Sequence, residues 1–105
     1  MRLKIIWSAF AESQLDEIYD YYEKKASSRV ATKLVKRIIN EPKKLIKSPF
    51  IGQEEELLKE REIQYRYLVF KNYKLIYSID EQNRFIKIAD VFDTRQNPPK
   101  MKRTK

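Results

Sequence analysis

Two stretches of the chain show the apolar periodicity of amphipathic helices, residues 9–25 and about 29–47. A serine stands before each stretch, where an N-cap would accept the free backbone amides. Because so few residues join the two helices, they must pack as an antiparallel hairpin. Pro42 predicts a kink or restart of the second helix near Asn40, which could cap the new turn. The caps are Ser8 and Ser27–Ser28, and the apolar stripes are Ala11, Leu15, Ile18, Tyr19 and Tyr22, then Ala31, Leu34, Val35, Ile38 and Leu45.

Runs of apolar residues predict strands on both sides of this hairpin. The SPFIG motif at 48–52, with the only glycine of the chain, predicts the turn between helices and strands. The expected order is β-α-α-β-β-β, an α+β fold. The helical hairpin covers one face of a small, mainly antiparallel sheet, and the other face can stay open as a binding surface. The predicted strands are 2–7, 62–70, 74–79 and 84–92, with turns at Asn72 and 80–83.

The length of 105 residues predicts one domain, which we assign to residues 1–98. Residues 99–105 form a basic tail whose composition is typical of a segment that is disordered or ordered by a partner. The formal net charge is +8. Residues 61–105 carry 11 basic and 5 acidic side chains, so most of the surplus lies there. Such a charge favours a nucleic acid, an acidic protein or an anionic surface as partner.

The residue inventory excludes several kinds of chemistry. The chain has no histidine and no cysteine, so the usual metal sites and histidine-dependent nucleophiles cannot be built. One glycine cannot make a phosphate-binding loop. We therefore expect no cofactor and no metal. The sequence also lacks a signal-peptide pattern and any run long enough to cross a membrane, so we expect a cytoplasmic protein.

Metal-independent cleavage of RNA remains possible with these residue types. It needs cations that stabilise the charged phosphorane and groups that transfer protons. The candidates are Arg66, Arg95, Asp93 and Glu55 within its acidic cluster. Each has a structural alternative: a snorkelling or salt-bridged arginine, a strand-end turn closed by an aspartate, or a solvated acidic loop. The residues alone therefore predict only a small basic α+β domain.

The order of several segments resembles the RelE/ParE superfamily of toxins from type II toxin–antitoxin systems. These segments are KIIWSAFAESQLDEIYDYY, SPFIG, YRYLVFKNYKLIYSI and IKIADVFDTRQNP, and the resemblance covers about residues 3–98. It implies the same β-α-α-β-β-β fold. It also implies a cognate antitoxin whose acidic C-terminal segment wraps the toxin, and it allows a toxin–antitoxin hetero-oligomer. A +8 surface suits such a partner.

The resemblance leaves two main functions open. Arg66 and Arg95 match arginines that face the scissile mRNA phosphate in ribosome-dependent members, and Glu55 falls near a position that serves as base in some of them. However, Asp93 stands where many relatives have histidine, and no tyrosine follows Arg95. We therefore favour a ParE-like toxin that binds DNA gyrase over a RelE-like mRNA endoribonuclease. A basic nucleic-acid-binding module without toxicity is a third possibility.

Both main functions require the same arrangement of the two arginines. The guanidinium groups of Arg66 and Arg95 should converge at one rim of the sheet, where an anionic partner would bind.

Overall fold

The computed structural model describes residues 2–96 and 98–104, in the predicted order of elements with one additional short strand. Met1, Asn97 and Lys105, which the predicted domain and tail include, lie outside the described residues. The helices and strands are β1 Lys4–Trp7, α1 Ala9–Lys25, α2 Ser28–Asn40, β2 Gln53–Glu54, β3 Arg66–Phe70, β4 Tyr73–Asp80 and β5 Phe85–Asp93. Three 3₁₀ helices span Glu41–Ile46, Glu56–Leu58 and Pro98–Arg103.

The sheet has the order β1-β5-β4-β3-β2, with β4 at its centre. Only β1 and β5 pair in parallel; the other pairs are antiparallel, as predicted. Tyr77 pairs with Ile88 and Ile76 pairs with Asp90, so Ala89 is an extra residue in β5. This bulge reverses which face the following side chains occupy. It therefore places Asp90 on the face opposite the helices.

Capping and packing explain the helical hairpin. The Ser8 hydroxyl accepts the amide of Ala11, and the Ser27 hydroxyl accepts the amide of Val30, so both predicted caps are confirmed. The second helix becomes 3₁₀ at Glu41, as Pro42 predicts. The apolar stripes pack on the helix-facing side of β4 and β5. That core includes Ala11, Leu15, Ile38, Leu45, Leu75, Tyr77, Ile86, Ile88 and Val91.

Two local predictions were wrong. Asn40 makes no capping hydrogen bond to the following 3₁₀ helix, because its backbone is already helical at φ −79° and ψ −23°. The strand predicted at 62–70 begins only at Arg66. Tyr65 instead accepts the amide of Glu55 through its carbonyl and buries its ring on the far side of the sheet.

The second face of the sheet is not open, which corrects our expectation. The second and third 3₁₀ helices pack over it and enclose a smaller apolar core. The tail segment Pro98–Arg103 is therefore folded, and Met101 and Thr104 are only 1% and 2% exposed. This core consists of Leu58, Tyr65, Ile76, Ala89, Phe92 and Met101.

The SPFIG turn is fastened to the sheet through Tyr77. The Tyr77 hydroxyl accepts the amide of Gly52 at 3.0 Å and donates to the carbonyl of Pro49 at 2.7 Å. A Cβ at Gly52 would lie 2.3 Å from this hydroxyl and 2.8 Å from the carbonyl of Tyr67. Only glycine permits this close approach.

Candidate functional site

Arg66 is the first residue of β3, next to the short edge strand β2 and beside the SPFIG turn. Its Nη1 donates to the carbonyl of Gly52 at 2.8 Å, and its guanidinium lies 5.2 Å from the centre of the Phe50 ring. Phe50 is 55% exposed, so the stacked pair faces solvent. Arg66 thus braces the turn while keeping part of its cation accessible.

Asp93 and Arg95 form a two-pronged ion pair where β5 ends. Arg95 donates from Nε and Nη2 to the carboxylate, with a shortest distance of 2.7 Å. The backbone amide of Arg95 and the side-chain amide of Asn72 donate to the same carboxylate, at 2.9 and 3.1 Å. These bonds, above all those from the Arg95 side chain, lower the pKa of Asp93. Asp93 is therefore ionised at neutral pH and a poor proton donor.

A cleft of about 290 Å³ lies between α1 and this ion pair. Tyr73 is 3% exposed and lies at its base. Burial, and then the neighbouring Tyr22 hydroxyl, raise the pKa of Tyr73 well above its ordinary value. The phenol therefore stays protonated and can act only as a neutral hydrogen-bonding group. The cleft is lined by both apolar and polar side chains: Gln14, Glu17, Ile18, Tyr21, Tyr22, Tyr73, Val91, Asp93, Arg95 and Gln96.

Glu55 lies on the face of the sheet opposite the helical hairpin and the cleft. Its side chain is only 3% exposed and accepts a hydrogen bond from Lys74 Nζ at 2.8 Å. Its second oxygen accepts the amide of Leu57 and caps the second 3₁₀ helix. Both carboxylate oxygens are thus engaged in holding the fold.

The four candidate residues therefore occupy three separate places, and the expected convergence of the two arginines was wrong. Arg66 is level with Tyr77 in β4, whereas Asp93 is level with Tyr73. Four residues along β4 and two strand spacings separate these positions, roughly 16 Å between backbones. Arg66 and Arg95 each have their guanidinium engaged at their own end of the sheet.

Neither a metal-ligand cluster nor a helix able to span a membrane occurs in the part of the chain that the structure describes. Within residues 2–96 and 98–104, no three acidic side chains cluster closely enough to hold a metal ion. No helix in that part of the chain is long and apolar enough to cross a bilayer.

Sequence comparison identifies the family. The family described as "ParE toxin of type II toxin-antitoxin system, parDE" matches residues 5–98. The chain belongs to this family. The predicted membership of the RelE/ParE superfamily is therefore confirmed. No curated protein matches the sequence.

A solved structure supports the ParE-like fold. A chain of the chromosomal ParDE toxin–antitoxin system from P. aeruginosa superposes with a TM-score of 0.71. The match covers 87% of this chain and 95% of that chain, at 22% sequence identity. The fold shared with that ParE system includes the helical hairpin and the mainly antiparallel sheet that we predicted.

Some residues that define the cleft and the buried polar contacts of this ParE-family protein were not predicted as site residues. Tyr22 and Tyr73 meet at the cleft although they are 51 positions apart in sequence. Asp90 is fully buried inside the run IADVF. A carboxylate within a buried apolar strand requires a hydrogen-bonding or ionic partner. The sequence therefore indicated that Asp90 has a buried polar contact.

The Asp93–Arg95 pair predicts a specific acid response. The folded-state pKa of Asp93 lies below its unfolded value, so the pair stabilises the fold above about pH 3.9 and loses this effect as pH falls through the folded pKa. In the Arg95→Gln variant, an NMR titration should show the pKa of Asp93 rising toward its ordinary value. Arg2 is also an exposed arginine, and the control substitution Arg2→Gln should leave the pKa of Asp93 unchanged. Equal titration curves in all three proteins would contradict the pairing.

Proposed function

We propose that this protein is the growth-inhibiting toxin of a type II toxin–antitoxin pair, and that it acts by binding DNA gyrase. The observation that carries the proposal is the dispersal of the candidate nuclease side chains. A metal-independent nuclease must present its cations and its proton-transfer groups to one scissile phosphate. Here Arg66, Arg95 and Glu55 occupy different ends or faces of the sheet.

The chemistry of the individual groups supports the same proposal. Asp93 is ionised, and its carboxylate accepts hydrogen bonds from four donor atoms of Asn72 and Arg95. It is therefore poorly suited to protonate a leaving oxygen. Glu55 is buried against Lys74, and both of its carboxylate oxygens already accept hydrogen bonds within the protein. Binding requires none of these rearrangements, because it uses surfaces that are already formed.

The proposal includes a cognate antitoxin with an acidic segment that wraps the toxin, forming a hetero-oligomer. The net charge of +8 would steer an acidic segment toward the protein and favour the complex at low salt. The tyrosine-lined cleft beside α1 offers apolar area for anchoring such a segment. The proposal implies action in the cytoplasm, where gyrase and ribosomes operate.

The test is a pair of assays on purified protein. Inhibition of gyrase supercoiling with ribosome-bound mRNA left uncut supports the proposal, and addition of the antitoxin should restore supercoiling. Intact supercoiling at saturating toxin overturns it. Cleavage of mRNA in the ribosomal A site, lost in Arg66→Ala and Arg95→Ala but kept in the exposed control Arg2→Ala, would establish the endoribonuclease instead.

A further inference from the structure

One face of the second helix carries a concentrated positive charge for which the proposed function names no specific contact. Residues 28–47 contain seven basic side chains and one acidic, whereas residues 9–25 in α1 contain five acidic and two basic. A surface charged only for solubility mixes the two signs. The segregation of charge between neighbouring helices therefore indicates a partner for the basic one.

Four of these cations form a single row, which we call the basic stripe: Arg29, Lys33, Lys36 and Lys43. Their spacings of four, three and seven residues keep them on one face of a helix. α2 continues directly into the first 3₁₀ helix, since Asn40 and Glu41 both have helical backbone angles. All four side chains are exposed. The stripe is therefore a continuous ridge pointing away from the core.

The cations of the basic stripe have no acidic partner among the described residues. The single carboxylate of the segment, Glu41, pairs with Lys44 at 2.7 Å and not with the stripe. Across residues 2–96 and 98–104, no carboxylate lies within 4.0 Å of the stripe cations. These side chains are available for an external anion.

The spacing of the stripe suits the phosphate backbone of duplex DNA. From Arg29 to Lys43 the ridge is roughly 22 Å long, which corresponds to about six base pairs at 3.4 Å each. Thr32 and Asn40 lie beside the cations and are also exposed. Lysine and arginine, assisted by threonine and asparagine, are the side chains that commonly contact DNA phosphates.

A protein partner suits the stripe less well. Protein interfaces are held by apolar and aromatic anchors, and charged residues are depleted at their centres. The centre of the stripe has no large apolar side chain. Val30 and Ile39, which are 46% and 41% exposed, lie on its flanks. We propose that the basic stripe of α2 and the adjoining 3₁₀ helix binds the phosphate backbone of duplex DNA, independently of sequence. This inference goes beyond the proposed target and does not depend on it.

The experiment compares two triple variants of the full chain with equal charge. The stripe variant is Lys33→Gln, Lys36→Gln and Lys43→Gln. The control is Lys4→Gln, Lys100→Gln and Lys102→Gln, which removes three exposed lysines elsewhere. Circular dichroism melting establishes that both are folded. Binding to a labelled duplex of about 20 base pairs, long enough for the stripe, is measured by anisotropy at several salt concentrations.

The stripe variant should lose about tenfold or more in affinity, and its salt slope should fall by about 2.7, or 0.9 for each lost phosphate contact. The control should change much less. Equal losses in the two variants would make duplex binding an effect of net charge and overturn the inference. Absence of duplex binding by the unmodified protein would overturn it too. Competition by a polyglutamate peptide as effective as unlabelled duplex would assign the stripe to an acidic protein instead. Gyrase supercoiling is measured in a separate assay, so failure of the gyrase proposal can be distinguished from failure of the DNA-binding inference.

Discussion

Replacing Lys74 by methionine is expected to lower the free energy of unfolding by about 3–5 kcal/mol, the cost of leaving a buried charge without its partner. Glu55 is 3% exposed at its side chain, and Lys74 Nζ at 2.8 Å is its ionic partner. Lys74 also lies over the Tyr67 ring, 4.2 Å from its centre. The substitution removes the cation and preserves most of the side-chain bulk. Urea unfolding followed by Trp7 fluorescence measures the loss.

Two controls separate the buried charge from other effects of this substitution. Lys59→Met removes the partner of Glu56 in an exposed pair at 3.7 Å and should cost at most about 1 kcal/mol. The double variant Glu55→Gln and Lys74→Met removes both charges and should recover most of the lost stability. If Lys74→Met and Lys59→Met have similar effects, Glu55 is not a buried ion in solution.

The helices and the order of strands were predictable because their signals are local. The apolar stripes of α1 and α2 repeat at helical spacing, and the serines before them form the caps. The strands β4 and β5 are long and apolar, and they lie within one or two residues of their predicted bounds. β2 was missed because two residues, Gln53 and Glu54, are too few to show a period.

The candidate site was less predictable because its geometry depends on pairing between distant segments. Arg66 and Arg95 could be assigned to a strand and a strand end. Their separation follows from the register of β3 and β5 against β4, which local patterns do not specify. Likewise, three consecutive glutamates look equivalent in sequence. Only Glu55 is buried, because Lys74 lies across the sheet face from it.

The tail shows how composition alone can mislead. The sequence PPKMKRTK has the polarity of a disordered segment. The described part of this segment, residues 98–104, is folded because Met101 fills the smaller core and Arg103 pairs with the buried Asp90. The guanidinium of Arg103 also lies 5.4 Å from the centres of both the Phe10 and Phe92 rings. A few long-range contacts thus offset the entropy of ordering a short segment.

Removal of the Asp90 carboxylate should release this tail and destabilise the whole domain. Asp90 is fully buried and accepts the Thr104 hydroxyl at 2.8 Å and the Arg103 guanidinium at 3.4 Å. In Asp90→Ala the Arg103 guanidinium retains one side-chain hydrogen-bond partner among the described residues, Gln14 at 3.0 Å. The free energy of unfolding should therefore fall by about 3–5 kcal/mol. Amide hydrogen exchange should accelerate at Thr104, whose N–H donates to the carbonyl of Met101.

A double-mutant cycle with Arg103→Met tests whether this loss arises from the ion pair itself. Once Asp90 is absent, replacing Arg103 removes an uncompensated cation, so the double variant should be more stable than the sum of the two single losses predicts. Because Asp90 is buried and Arg103 belongs to the tail, both far from the basic stripe in sequence, duplex binding should be unchanged wherever the variants remain folded. Strictly additive losses, or unchanged exchange at Thr104 in Asp90→Ala, would show that the tail is held by Met101 packing and not by the buried carboxylate.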